Sequence, residues 1–467
     1  MNNQDLVNPD QKIISTHFDQ EGYEGFASEN LKSLVTALEA GQVSVVKGML
    51  DHFRAQDIAS ILEQLTREER RWLFDILPKP LDAEIFAYLA VPVREEILPL
   101  LDSETLADVI RRLESDDAID LLEDLTDGQK QEILQRVAPQ ARKILEEGLN
   151  YPEQSAGRLM QRELVAIPVN WTVGETIDYL RAKEDLPKDF YDFFLVDEYN
   201  KPVGVVPLSR AMRNKRVVRL ADIMDQDLDL IPVDMNREEV AYLFRKYALV
   251  SAPVVSDDGR LIGVITVDDV VNIIDAAAAE DLLKLGGVRA SEFYRSIRQT
   301  TFSRWVWLAI NLFTSIFASL IIDNFAETIQ RQVALAVLMP LIASMGMNAG
   351  TQTITVAVRA LAVHDLKLTN QWRFFIKELI VSLINGGVFA LVAVLIAWGW
   401  FGDWLIGLVF GVAMFSTLLI AAVVGSLVPI FLERWKIDPA DSSVVLVTTV
   451  TDMVAFASFL GLAYLIL

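Results

Sequence analysis

The sequence predicts a multidomain protein with an α-helical superhelical N-terminal domain, an α+β tandem pair and an all-α transmembrane domain of five helices. Three observations carry this prediction. Long stretches without a charged residue are concentrated after residue 304, leucines repeat at a fixed spacing in the first third, and short β-rich runs alternate with helices twice in the middle. The expected domains are residues 1–150, 151–281 and 304–467, and a linking helix is expected over 282–303.

Composition limits the chemistry of any site. The formal net charge is −22, nearly all of it before residue 305, and a surface of this sign argues against nucleic acid as a partner. There are no cysteines and three histidines, so a metal site must be built of oxygen ligands. The polar start of the chain lacks the basic and apolar regions of a signal peptide, which predicts a cytoplasmic soluble region.

The N-terminal third repeats every 24 residues. Residues 65–77, 89–101 and 113–125 align their leucines at this period, as expected for helix pairs that stack into a superhelix. Carboxylates are placed in its predicted turns, and they are either solvated charges or a surface that responds to cations: Asp102, Glu104, Asp116, Asp117, Glu123 and Asp124.

The middle third contains two similar halves. Residues 193–197 and 201–207 are predicted strands, and residues 252–256 and 260–269 match them in the second half. This pattern resembles a tandem pair of CBS domains, which are usually regulatory and often bind adenine nucleotides in their cleft. The resemblance implies that Thr266 and Asp269 meet the ribose; alternatively, the same residues serve only as a strand end and a helix cap.

The last third contains five apolar segments, each long enough to cross a bilayer, which needs about 20 helical residues. Basic residues cluster before the first segment, between the second and third, and between the fourth and fifth, which predicts that the soluble region lies inside and the C-terminus outside. The predicted spans are Trp305–Ile322, Val333–Val358, Leu379–Phe401, Trp404–Phe431 and Ser443–Leu467.

Two of these segments contain polar groups at membrane depth, where such groups normally face a cavity, a partner or a pathway. In the second, Pro340 is a potential helix breaker, and Asn348 and Gln352 share a stripe if the helix resumes. This stripe either lines a pathway or packs helices through amide hydrogen bonds and small residues.

The fifth segment has a single carboxylate, Asp452, about ten residues into an otherwise neutral helix. Thr448 and Thr449 share its face, and no Lys or Arg is expected at comparable depth. A carboxylate without a protein cation indicates that its partner is a transported ion, although a carboxyl group bonded to backbone or to a neighbouring span is the structural alternative.

Nearly the whole chain resembles the MgtE family of bacterial Mg²⁺ channels, through residues 340–352 and 438–452 together with the acidic helical domain and the CBS pair. The resemblance implies a homodimer in the bacterial inner membrane, with Asp452 of two subunits facing one Mg²⁺. It also implies a pore lined by four further side chains: Asn348, Gln352, Thr448 and Thr449. Met347 differs from the glycine that the family has at this position.

The resemblance also implies a gate in which carboxylates after the second CBS domain bind Mg²⁺ and close the channel through a linking plug helix. The candidate ligands are Asp269, Asp275, Glu280 and Asp281. Asn272 and the alanines at 276–279 stand where the family has further carboxylates, so we expect closure at higher Mg²⁺, or with a less steep response, than the family norm.

The function expected from these features is uptake of Mg²⁺ driven by the membrane potential and limited by cytosolic Mg²⁺. The alternatives are transport of another divalent ion, such as Co²⁺ or Ca²⁺, and a membrane sensor that transports nothing. We find no Walker motif and no constellation of nucleophile and base in the sequence, so catalysis is not expected.

Overall fold

The computed structural model describes residues 28–51, 53–77, 81–183, 186–187, 189–288, 297–363, 366–367 and 369–467. The chain divides into two compact units, the first ending at Ile274 and the second beginning at Asp275. Within the described residues the expected fold class is confirmed, whereas the expected domain boundaries at 150, 281 and 303 stay predictions.

The N-terminal region is a stack of short helices. Four of them begin at residues 67, 91, 115 and 139, which matches the 24-residue period of the leucines. The helices are α1 (Ser28–Glu39), α2 (Val43–Leu50), α3 (Ala55–Gln64), α4 (Arg67–Ile76), α5 (Glu84–Tyr88), α6 (Val91–Ile97), α7 (Ser103–Ile110), α8 (Ser115–Glu123), α9 (Asp127–Arg136) and α10 (Pro139–Asn150).

An arginine recurs at the fourth position of three of these helices and joins each to the preceding one. Arg70, Arg94 and Arg142 each donate to the carbonyl oxygen eight residues earlier. The Arg94 side chain is 2% exposed and also donates to Asp120 and Asp124 at 2.7 and 2.5 Å. Because a buried guanidinium needs several acceptors, these contacts fix the spacing between successive repeats.

The middle region is built from two matching three-stranded sheets, β1-β2-β3 and β4-β5-β6. In each sheet the first strand is parallel to the second, and the second is antiparallel to the third. The elements are α11 (Ala156–Leu159), β1 (Ala166–Pro168), α12 (Val173–Ala182), β2 (Asp192–Val196), β3 (Pro202–Pro207), α13 (Leu208–Met212), β4 (Ile231–Pro232), α14 (Arg237–Tyr247), β5 (Ser251–Val255) and β6 (Leu261–Thr266). Apolar residues of both halves, including Phe194 and Val264, form a shared core.

The described C-terminal residues contain five helices that are long and apolar enough to span a membrane, as the sequence predicts. Helix α15 (Val267–Leu285) precedes them. The remaining helices are α16 (Ile297–Asp323), α17 (Ala326–Arg331), α18 (Val333–Ala362), α19 (Gln371–Phe401), α20 (Trp404–Arg434) and α21 (Pro439–Ile466). Helices α18, α20 and α21 pack on one another around an apolar core that includes Leu338, Phe410 and Phe459.

Three sequence expectations about element boundaries need correction. The helix expected over 282–303 is not continuous, because α15 ends at Leu285 and Gly287 has a φ of +68°, which a helix does not accommodate; residues 289–296 lie outside the described residues. Pro340 does not end α18, which continues from Val333 to Ala362. The strand expected over 260–269 ends at Thr266, so Asp269 lies in the first turn of α15.

A candidate ion pathway and an acidic regulatory cluster

Asp452 lies in the middle of α21, half-buried within the second unit. No charged side chain among the described residues pairs with its carboxylate. The described residues also contain no group of three acidic or histidine side chains arranged to hold a metal ion. The carboxylate therefore has no neutralising partner within the described part of one protomer.

Thr448 and Thr449, on the same helix as Asp452, use their hydroxyl hydrogens in hydrogen bonds to the backbone. Thr448 Oγ1 donates to the carbonyl oxygens of Val444 and Val445 at 2.9 and 3.1 Å, and Thr449 Oγ1 donates to Val445 at 2.6 Å. Because each hydroxyl hydrogen is directed at the backbone, the lone pairs of the oxygen remain for water or a cation. This arrangement suits a hydrated metal ion.

The amide side chains and the glycines of α18 lie on different faces of the helix. Gly346 and Gly350 are buried, and a Cβ added to them would lie 2.7 Å from Thr417 Cγ2 and 2.9 Å from Val447 Cγ1. The glycines thus allow α18 to pack closely against α20 and α21. Asn348 and Gln352 lie on the exposed side of α18, so within one protomer the glycines, and not the amides, face α20 and α21.

A second group of functional candidates lies in the first unit, where the start of α8 meets the start of α15. We call Glu114, Asp116, Asp117, Asp268 and Asp269 the acidic cluster. Hydrogen bonds dock α8 here, because Ser115 Oγ donates to Glu163 at 2.7 Å and Gln161 Nε2 donates to Glu114 at 2.6 Å. These bonds hold the helical domain against the segment that precedes β1, beside several like charges.

Asp116 is the most deeply buried member, with 7% of the residue exposed. Its Oδ1 atom has no hydrogen-bond partner, although burying an unsatisfied carboxylate oxygen is costly. Burial, and then the nearby Asp269 carboxylate, raise the pKa of Asp116 well above its usual range. A bound cation could serve as the partner that this oxygen lacks.

Three other carboxylates of the cluster also have raised pKa values. Burial, reinforced by the Asp117 carboxylate, raises the pKa of Glu114 to about 7. Burial first and Asp268 second raise the pKa of Asp269 to about 7. Burial also raises the pKa of Asp117 to about 6, even though Arg94 opposes the shift. Burial is the main cause of these shifts and the neighbouring carboxylates add to it, so the ionised form of the cluster is destabilised at neutral pH.

These raised pKa values predict that the stability of the protein falls as pH rises. Between about pH 4 and pH 7 the folded state binds more protons than the unfolded state, so the free energy of unfolding should fall as pH rises, by about 1.4 kcal/mol per unit for each fully affected group. We expect the unfolding temperature of the full chain, measured in EDTA, to fall between pH 5 and pH 8. The Asp269→Asn variant should show a smaller fall, and a rise with pH in the wild type would contradict the prediction.

The remaining candidate ligands of the gate lie further along α15, in the second unit. Asp275 is exposed, whereas Glu280 and Asp281 are half-buried. Glu280 pairs with Lys284 at 2.9 Å, and Lys284 also contacts Asp438 at 2.7 Å. Asp438 accepts from the Ala440 amide at the start of α21. The end of α15 is thereby tied to the helix that carries Asp452 by an ammonium group, a contact that sequence reasoning did not anticipate.

A cavity of about 700 Å³ lies between the two matching halves of the middle region. Thr266 does not line it; its hydroxyl donates to Asp269 at 3.0 Å on the side of the acidic cluster. This cavity therefore does not test the expectation that these two residues meet a ribose, which stays a prediction.

Comparison with known proteins assigns each region to a domain family. Residues 339–462 match the MgtE model, described as a divalent cation transporter. Residues 53–154 match the MgtE intracellular N domain, and residues 156–216 and 220–276 match CBS domains.

Individual relatives agree with this assignment. The chain is 33% identical to the magnesium transporter MgtE of Thermus thermophilus, over 93% of this chain and 98% of that protein, and 32% identical to the magnesium transporter MgtE of Enterococcus faecalis, over 68% and 70%. A crystal structure of the cytosolic domain of the Mg²⁺ channel MgtE in complex with ATP is 30% identical, covers 52% of this chain and 99% of that one, and has a TM-score of 0.48. The chain belongs to the MgtE family of divalent cation transporters.

Proposed function

We propose that this protein carries Mg²⁺ across a bacterial inner membrane, with Asp452 as the residue that attracts the ion. The observation that carries the proposal is a half-buried carboxylate in a membrane helix that no described side chain neutralises. A charge in this setting is costly unless it faces a water-filled route or a passing cation. The names of the relatives, which are magnesium transporters, support Mg²⁺ as the ion.

The ligands available suit an ion that keeps much of its water. Mg²⁺ dehydrates reluctantly and prefers octahedral oxygen. One carboxylate together with the oxygens of Thr448 and Thr449 can contact its water shell, and the amides of Asn348 and Gln352 can do so from α18. Entry of two charges is favoured by about 4.6 kcal/mol per 100 mV of inside-negative potential, which supplies a driving force without nucleotide hydrolysis.

We further propose that the functional unit is a homodimer. Ser344, Asn348, Thr351, Gln352 and Thr355 form an exposed polar stripe on α18, inside a segment apolar enough to span the membrane. Polar side chains at this depth are costly against lipid, so a second protomer or water must cover them. A shared axis beside this stripe would place Asp452 of two protomers around one ion.

The test is uptake of Mg²⁺ by proteoliposomes that contain the purified full chain. An inside-negative potential, set by a potassium gradient and valinomycin, should drive Mg²⁺ in, and collapse of the potential should slow the flux. Co²⁺ and Ca²⁺ are offered in parallel to distinguish the ion transported. Faster flux of either ion than of Mg²⁺ would favour that ion, and absence of flux for all three would favour a sensor.

For regulation, we propose that cytosolic Mg²⁺ binds the acidic cluster and favours a closed state. The unpartnered Oδ1 of Asp116 and the neighbouring Asp269 supply oxygen ligands from two domains, and a divalent cation would relieve their repulsion. When cytosolic Mg²⁺ falls, the repulsion returns and the docked arrangement becomes less stable. Binding then shifts the population toward the closed state by its preference for the docked arrangement.

The ammonium group of Lys284 bridges Glu280 and Asp438. It takes the place that Mg²⁺ would otherwise occupy between these two carboxylates. We expect Lys284→Met to leave these carboxylates facing each other and to raise Mg²⁺ flux a few-fold when internal Mg²⁺ is absent, with added internal Mg²⁺ restoring closure. Flux into proteoliposomes loaded with defined Mg²⁺ measures both effects. Lys284→Arg keeps the ion pairs and should behave as the wild type. If Lys284→Met had the same flux as the wild type, the Lys284 ion pairs would have no part in gating.

A further inference from the structure

The turn between α20 and α21 exposes basic and apolar side chains in alternation. We call Arg434, Trp435, Lys436 and Ile437 the basic turn. All four residues are exposed, and Trp435 is 70% exposed. The turn directly follows a candidate membrane span, and tryptophan beside lysine and arginine is typical of the boundary between lipid and water. We therefore expect the basic turn to lie at the level of the lipid headgroups.

The backbone of Lys436 is strained. Its φ is +60°, in the left-handed region, within a helix C-cap in which the Ile437 amide donates to the Leu432 carbonyl oxygen and the Lys436 amide donates to that of Glu433, both at 2.9 Å. Glycine is favoured at this position of such a cap, because it has no Cβ. A lysine here costs stability that a glycine would not, so the strain indicates that its side chain has a function.

The start of α19 adds a second aromatic and basic pair at the same end of the helix bundle. Helices α19 and α20 pack as antiparallel neighbours, and Ser382 Oγ donates to the Leu418 carbonyl oxygen at 2.7 Å. Because the two helices run in opposite directions, the first turns of α19 lie at the end where α20 finishes. Trp372 is 69% exposed there, and the next residue, Arg373, is also exposed.

This end of the bundle carries an excess of positive charge. Residues 359–378 and 431–438 include six basic and four acidic residues, and one of the acidic residues, Asp438, already pairs with Lys284. The excess stands out on a chain whose formal net charge is −22. Guanidinium and ammonium groups at a membrane surface attract phosphate, and exposed tryptophans beside them suit the adjoining acyl chains.

We infer that the basic turn and Arg373 bind the phosphate of an anionic phospholipid headgroup, with Trp372 and Trp435 against the lipid. A free anion would satisfy the charges but would leave both tryptophans uncovered, whereas a lipid satisfies both. Asp438 follows Lys436 by two residues and pairs with Lys284, so the bound headgroup lies beside the contact that ties α15 to α21.

Native mass spectrometry of the purified full chain tests the inference, with phosphatidylglycerol or phosphatidylcholine of identical acyl chains added. We expect at least threefold more bound phosphatidylglycerol than phosphatidylcholine, and Arg373→Gln/Arg434→Gln should remove most of this preference. The matched control is Arg331→Gln. It removes an exposed guanidinium that precedes α18, at the other end of the bundle, and should keep the preference.

Lys436→Gly separates a role in binding from damage to the fold. Loss of the ammonium group should weaken phosphatidylglycerol binding, whereas relief of the left-handed strain should raise the unfolding temperature measured without added lipid. Lys436→Arg keeps the charge and should bind as the wild type does. Equal binding of the two lipids to the wild type, or an unchanged preference in Arg373→Gln/Arg434→Gln, would overturn the inference. Displacement of the lipid by soluble glycerol phosphate would overturn it too, by assigning the site to a free anion. These measurements do not depend on Mg²⁺ flux, so their outcome is separate from that of the transport assays.

Discussion

Asp452→Asn should reduce potential-driven Mg²⁺ flux by at least tenfold, to near the background of empty liposomes. The substitution keeps the shape of the side chain and removes its charge. A divalent ion about 5 Å from one carboxylate gains on the order of 6 kcal/mol at an effective dielectric constant of 20, which is large compared with the other contacts available to a hydrated ion. The amide cannot replace that attraction.

The matched control for this variant is Asp403→Asn. Asp403 caps the start of α20 by accepting from the Leu405 amide at 2.8 Å, and an asparagine oxygen can accept the same bond. Its flux should stay within about twofold of the wild type, since it lies at the end of a span. Size-exclusion profiles of both variants establish that the proteins are folded. If both variants lost Mg²⁺ flux equally, or if Asp452→Asn lost none, the Asp452 carboxylate would have no specific role in transport.

Asp269→Asn should make the transporter much less sensitive to internal Mg²⁺, with the concentration for half-inhibition raised about tenfold or more. One charge fewer beside Asp116 weakens the attraction for a divalent cation. The same change relieves like-charge repulsion, so the free energy of unfolding measured in EDTA should rise. These opposite signs distinguish loss of a cation ligand from general damage to the fold.

Two measurements test the predicted loss of sensitivity to internal Mg²⁺. Flux into proteoliposomes with buffered internal Mg²⁺ gives the concentration for half-inhibition, and limited proteolysis at increasing Mg²⁺ reports whether the docked arrangement is protected. Asp258→Asn, in the exposed turn between β5 and β6, is the control and should leave both unchanged. If Asp269→Asn retained wild-type inhibition, the proposed role of the cluster would have to be abandoned.

Much of the architecture could be predicted because it depends on local patterns in the sequence. Uncharged stretches of sufficient length predict membrane spans, and the structure has candidate spans at the same places. The leucine repeat predicts stacked helices, and helix starts recur at the same 24-residue spacing. Alternating β-rich runs predict the two small sheets. In each case the periodicity that forms the element is visible within about 25 residues of sequence.

The pairing of functional groups could not be predicted in the same way, because it depends on long-range docking. Asp116 and Asp269 come close only through tertiary docking, in which Ser115 bonds to Glu163 and Gln161 bonds to Glu114, residues 48 and 47 apart in the chain. Lys284 and Asp438 are 154 residues apart in the chain. The sequence also predicts a linking helix over 282–303, which Gly287 interrupts with a φ of +68°.

The most direct test of the central claim is to locate a divalent ion relative to Asp452. Anomalous diffraction from crystals of the full chain soaked in Mn²⁺ should show a peak roughly 4–5 Å from the Asp452 carboxylates, a separation that leaves one shell of water on the metal. A structure in which Asp452 faces lipid, or pairs with a basic side chain away from any water-filled route, would contradict the account.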